Sequence, residues 1–187
     1  MISKNFHRIH HATEFKTILV FFIAFLATSC TISTPKGLYS QATDAIAQGK
    51  HEQAISGLTK AIESDPKFAE AYVNRGIAYS EIGNVEAAIA DYTKAIEIKP
   101  DLIDAHYNLG NAHMQLEEYS QAIAAYDKVI VLDPNYAIAL GNRGNAHHLI
   151  GNTSQAIQDI ETAAEIFKKK GNEQAKAIAK QQLQKIK

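Results

Sequence analysis

Three asparagines, Asn74, Asn108 and Asn142, stand 34 residues apart. A carboxamide both donates and accepts hydrogen bonds, so a ladder of them suits the backbone of an extended peptide without reading its side chains. The same amides could instead bond across to a neighbouring helix, and the residue types leave both readings open. Asn111 and Asn145 follow three residues after two of them and would widen a polar strip. His106, His113 and His147 invite a metal reading, but no cysteine or carboxylate cluster completes a ligand set, so they are expected to pack in or beside a core. His148 is expected to point toward the groove, but one histidine does not make a site. Arg75 and Arg143 also recur 34 × 2 residues apart and are read as solvated. The single thiol, Cys30, has no disulfide partner within the chain and is chemically active only as a thiolate. No Gly-rich loop follows a strand and no carboxylate pair suggests a pocket. Neither catalysis nor a metal or cofactor is expected.

The elements that would position these residues announce themselves by the same period. Pro66, Pro100 and Pro134 are separated by 34 residues, as are Gly76, Gly110 and Gly144. Ala54, Ala88, Ala122 and Ala156 keep the step, each followed by Ile, and so do Ala61, Ala95, Val129 and Ala163. Within each unit the apolar residues return every three or four places, as in Ala88-Ile89, Tyr92 and Ala95-Ile96, which marks one buried helical face. Small residues allow helices to cross closely. The prolines forbid continuation of a helix. Gly49, Gly83 and Gly151 fall where one helix must turn into the next, a place that favours a left-handed backbone. Glu117 occupies that place in the third unit, where a more strained turn is expected.

With these motifs the chain resembles the tetratricopeptide-repeat family, whose unit is a 34-residue helix-turn-helix. Its signature matches Tyr72, Arg75-Gly76, Tyr79, Ala88, Tyr92, Ala95 and Pro100, and then His106, Leu109-Gly110, His113, Ala122, Tyr126, Val129 and Pro134. The resemblance implies an all-α solenoid, a right-handed superhelix of four hairpins at 35–68, 69–102, 103–136 and 137–170. The outer units depart from the pattern, with Gln41-Ala42 in the first and Lys168 in place of proline in the fourth. Beyond Gly171, Ala175, Ala179, Leu183 and Ile186 form a stripe at helical spacing, so residues 171–187 are expected to cap the exposed end. The resemblance also implies a groove lined by the first helix of each unit, with Asn74, Asn108 and Asn142 along it and Asn111 and Asn145 beside them, able to bind a protein or peptide. The basic clamp that some members use for a carboxylate terminus is missing. Glu70 and Asp104 stand at its places, and Lys36 is the only base on that edge.

The N-terminus has another character. Lys4, Arg8 and Lys16 precede the apolar run 17–27, and small residues follow, the three parts of an export signal. The run is shorter than the roughly 20 apolar residues of a membrane span, though an uncleaved anchor over 17–34 is the alternative. Leu26-Ala-Thr-Ser29 before Cys30 resembles a bacterial lipobox, with Ala27 where leucine is commoner. That resemblance implies a signal peptide at 1–29, a lipid on Cys30 and a short tether over 30–36. It also implies location in the bacterial cell envelope, with the outer membrane favoured by Thr31 after the cysteine. Residues 30–167 hold eighteen acids and nine bases, a net charge of −9, whereas residues 168–187 hold seven lysines and one glutamate, a net charge of +6. An exported protein with an acidic body is not expected to bind nucleic acid. The expectation is a lipid-anchored scaffold that binds a protein or peptide partner. A soluble exported adaptor, and an assembly subunit docking by its edge, are the alternatives.

Overall fold

A computed structural model describes residues 34–186 of the chain. The expected export signal, Cys30 and Thr31 lie outside the described residues. Nine helices follow one another, with no strand among the described residues: α1 (Pro35–Ala47), α2 (His51–Ser64), α3 (Ala69–Glu81), α4 (Val85–Ile98), α5 (Ile103–Gln115), α6 (Tyr119–Leu132), α7 (Ala137–Leu149), α8 (Thr153–Lys169) and α9 (Glu173–Ile186). Each packs chiefly on the next, so α1 to α8 form four antiparallel pairs and α9 closes the stack against α8. Pro35 and Lys36 already belong to α1, which Thr34 caps through its hydroxyl and the Gly37 N–H at 3.1 Å. The tether expected over 30–36 is therefore shortened to residues 31–34.

The recurrent prolines act through the residue before them. Asp65, Lys99 and Asp133 have φ near −140° to −136° and ψ near 90°, outside the helical region, because a following proline ring crowds that conformation. In the fourth unit Lys168 replaces proline and the last helix runs on, reaching 17 residues in α8 against 14 in α2, α4 and α6. The turns within the hairpins use left-handed residues, Gly49, Gly83 and Gly151, and Gly171 repeats the device before α9. Glu117 takes φ of 60° in the third hairpin, a conformation that crowds its Cβ.

Packing follows the small-residue series. Ala54, Ala88, Ala122 and Ala156 are fully buried, as are Ala61, Ala95, Val129 and Ala163. Gly76 and Gly110 lie flat against the rings of Tyr92 and Tyr126; a Cβ there would fall 2.6 and 2.5 Å from a ring carbon. In the first hairpin the small residue has changed sides, with Ala42 facing Gly57. The cap uses its expected stripe: Ala179 is buried with Leu183 and Ile186 against Ile160 and Ala164 of α8.

The reading of Arg75 and Arg143 as solvated is corrected by the structure. Arg75 binds Asp91 of α4 with two hydrogen bonds, 2.7 and 2.8 Å, and donates a third to Thr59 of α2 at 3.1 Å. Arg143 repeats this with Asp159 of α8, at 2.6 and 2.7 Å, and with Asp127 of α6 at 2.5 Å. Asp91 and Asp159 are each 6% exposed, so each arginine neutralises a buried carboxylate and ties its hairpin to the preceding one. In the third hairpin both partners are replaced together, by Leu109 and Ala125.

Candidate binding groove

The odd-numbered helices form one wall of the stack, where α1 touches α3 and α3 touches α5. Asn74 on α3, Asn108 on α5 and Asn142 on α7 share one register position of this wall, and their surroundings set them apart. Asn74 donates to the Tyr39 hydroxyl of the preceding unit at 2.9 Å. Asn142 donates to Tyr107 at 3.4 Å and to Asn111 Oδ1 at 3.1 Å. The Asn111 oxygen also accepts from the Tyr126 hydroxyl at 2.7 Å. These three amides are thus engaged in bonds between helices. Asn108 has no tyrosine to reach, because Val73 holds the place of Tyr39 and Tyr107 in the unit before it. Its Nδ2 turns back to the Asp104 carbonyl of its own helix at 2.8 Å, and its Oδ1 has no hydrogen bond among the described residues. Asn145 is exposed.

Aromatic rings run beside the asparagines. Tyr39 lies 4.8 Å from Phe68, and Tyr107 lies 5.4 Å from Tyr136, centroid to centroid. Burial raises the pKa of both Tyr39 and Tyr136, and the Asp104 carboxylate adds to the rise in each case, so Asp104 lies within electrostatic reach of both rings. Glu70 acts likewise on Tyr39. Lys99 pairs with Glu70 at 3.3 Å.

Two hollows open on this wall. One, about 140 Å³, lies between α3 and α5, lined by Ile77, Ser80, Glu81, Asn108, Asn111 and Gln115. The other, about 180 Å³, lies between α7 and α9 and is apolar, bordered by Ile138, Phe167 and Ile178. Gly141, in the register position of Tyr39 and Tyr107, leaves this second hollow open, and Ile138 and Ile178 each remain 52% exposed beside it. Tyr39, Tyr107 and Gly141 escaped notice in the sequence although they share the period. Val73 and Gly141 interrupt the two tyrosines of the series, and a ladder is recognised by sameness.

His106, His113 and His147 each have a partner close by. His106 is buried, and its Nε2–H donates to the Pro100 carbonyl at 2.8 Å, the place where Tyr72 donates to Pro66 at 3.5 Å. His113 Nδ1 meets Glu118 at 2.6 Å, and His147 Nδ1 meets the Asn152 amide at 3.4 Å. Among the described residues no three His, Cys, Asp or Glu side chains converge as metal ligands would.

Comparison with known proteins extends this description. A family model described as TPR repeat matches residues 45–83 and 78–117, and two described as tetratricopeptide repeat match residues 103–136 and 125–158. No curated protein matches the chain. Among solved structures, a crystal structure of MamA is similar at 28% identity and a TM-score of 0.73, over 78% of this chain and 85% of that one. The first TPR of Spaghetti (RPAP3), bound to the HSP90 peptide SRMEEVD, is similar at 23% identity and a TM-score of 0.62, over 64% of this chain and 94% of that one. MamA 41-end from Desulfovibrio magneticus RS-1, at 17% identity and a TM-score of 0.66, shares the fold over 81% of this chain and 92% of its own.

Proposed function

The chain belongs to the tetratricopeptide-repeat family, and on that footing we propose that it is a membrane-tethered scaffold whose groove holds a segment of a partner protein. The observation that carries the reading is the acceptor of Asn108 beside an open, polar hollow, on a wall where Asn74, Asn111 and Asn142 are engaged in internal bonds. A wall built rigidly by Asn74, Asn142 and their tyrosines, with unspent hydrogen-bonding capacity at Asn108 and Asn145, is preorganised for a chain laid along it. A domain of the same fold bound to a peptide makes this mode of recognition reasonable here. That peptide carries two glutamates and a terminal aspartate, whereas this groove presents Glu70 and Asp104, so a different segment is proposed.

The tether belongs to the proposal on the strength of the export pattern and Cys30 alone. With α1 starting at Pro35, four residues separate Cys30 from the solenoid, at most about 14 Å of extended chain. A lipid on Cys30 would hold the first hairpin against the membrane surface.

Intact mass of the protein taken from its own membranes, beside a Cys30→Ala variant, tests the tether. A chain beginning at Cys30 with a lipid increment lost in the variant is the expected result. An unmodified chain cut elsewhere means a soluble adaptor, and an uncut chain means an anchor over 17–34. Crosslinked co-purification with Asn108→Ala/Asn145→Ala tests the groove. Loss of the captured partner in that variant is expected; unchanged capture means docking by an edge instead.

A further inference from the structure

We propose that the hollow between α3 and α5 is a pocket for one lysine or arginine side chain of the bound segment, so that the groove selects basic partners. The inference rests on the groove reading above and adds the chemistry of what enters. A hollow of about 140 Å³ is smaller than the roughly 300 Å³ and more of small-molecule sites. It is the size of a single side chain. Its lining mixes apolar Ile77 and Ala112, suited to a methylene stem, with polar Glu81 and Gln115.

Two of its lining residues, Asn108 and Glu81, keep acceptors that no hydrogen bond among the described residues uses, beside the amide donors of Asn111 and Gln115. Asn108 donates one N–H to the Asp104 carbonyl, and its Oδ1 is left to accept. Asn111 has committed its oxygen twice, to Tyr126 and Asn142, so it offers the hollow only its amide N–H₂, which a cationic head group must avoid by turning to Glu81 and Asn108. Glu81 forms no ion pair among the described residues, although its carboxylate is near enough to Tyr92 to oppose ionisation of that ring. As the last residue of α3, Glu81 also sits where the helix dipole disfavours an anion. Helix stability therefore gives no reason for it. A cationic head group has only donors to offer, and it would satisfy Glu81 and Asn108 together. A carboxylate would meet Glu81 with no compensating charge, and an apolar side chain would bury the acceptors unpaired.

The surroundings have the same sign. Asp104 and Glu70 flank the tyrosines on this wall, and residues 30–167 carry a net charge of −9. That field draws a basic segment toward the groove before any contact forms.

The test pans a display library of random twelve-residue peptides on the full chain, followed by anisotropy of the selected peptides labelled with fluorescein. Peptides that share one Lys or Arg at a fixed place are expected. Replacing that residue by norleucine should weaken binding about tenfold, and Glu81→Gln should do the same while abolishing the difference between the two peptides. Glu81 is exposed, so the variant should keep its helicity and melting temperature. Selected peptides that depend on Asn108 but share no basic residue, or whose basic residue is indifferent to Glu81→Gln, would overturn the pocket and leave the groove reading standing. A library yielding no Asn108-dependent peptide would remove both.

Discussion

Arg75 and Arg143 show how far a residue's role depends on what its counterparts have become. Each neutralises an almost buried aspartate, and the third hairpin has lost both members of the pair together, to Leu109 and Ala125. Removing one partner strands the other charge, which costs more than never having had the pair. Arg75→Leu alone is therefore expected to lower stability by roughly 2–4 kcal/mol in urea unfolding. Arg75→Leu with Asp91→Ala, which copies the third hairpin, should recover most of that loss. A double variant no more stable than the single one would show that the pair does not act as a unit. Tyr92 supplies a second test. Burial pushes its pKa up to about 12, whereas an unfolded tyrosine ionises near 10. The unfolded state releases this proton first, so the contribution is intact below pH about 10 and is lost as pH rises toward about 12. Urea midpoints should fall as pH rises from about 10 to about 12 in the wild type and fall less steeply in Tyr92→Phe.

At the scale of the elements, the third hairpin departs from its neighbours at its turn. Gly49, Gly83 and Gly151 accept a left-handed backbone without a Cβ to crowd, and Glu117 takes the same conformation with one. Glu117→Gly should stabilise the protein by about 0.5–1 kcal/mol, the relief of strain being partly offset by the greater freedom of glycine in the unfolded chain. Thermal or urea unfolding reads this directly, and a destabilised variant would mean that the Glu117 side chain makes a compensating contact. The opposite experiment sits between helices. Gly110→Ala places a methyl group against the Tyr126 ring, at 2.5 Å in the unrelaxed geometry. The expected cost is about 1–3 kcal/mol, typical of overpacking. Both positions are visible as periodic glycines, or as a break in them. The unpaired state of Asn108 is not, because it follows from Val73 one unit away.

For the whole molecule, the end of the stack is where the repeat stops protecting itself. α9 covers Ile160 and Ala164 with Ala179, Leu183 and Ile186. A chain ending at Lys170 should lose roughly 3 kcal/mol, from one buried and two half-buried apolar side chains. It should also self-associate through the uncovered face, as sedimentation velocity would show. A truncated chain that remains monomeric with unchanged melting would mean that α9 is ornamental to stability. The helices, their pairing, the turns and the capping stripe were all legible in the sequence, because a period of 34 residues repeats each local rule three or four times and so separates signal from chance. Tertiary structure alone decided which polar residues are spent. Arg75, seemingly solvated, is committed to Asp91, two asparagines of the ladder are committed to tyrosines, and the third is not. The reason is physical. Secondary structure depends on patterns within a few residues, which a sequence displays, whereas hydrogen-bond satisfaction depends on partners that lie 16 to 35 residues away and meet only when the hairpins stack.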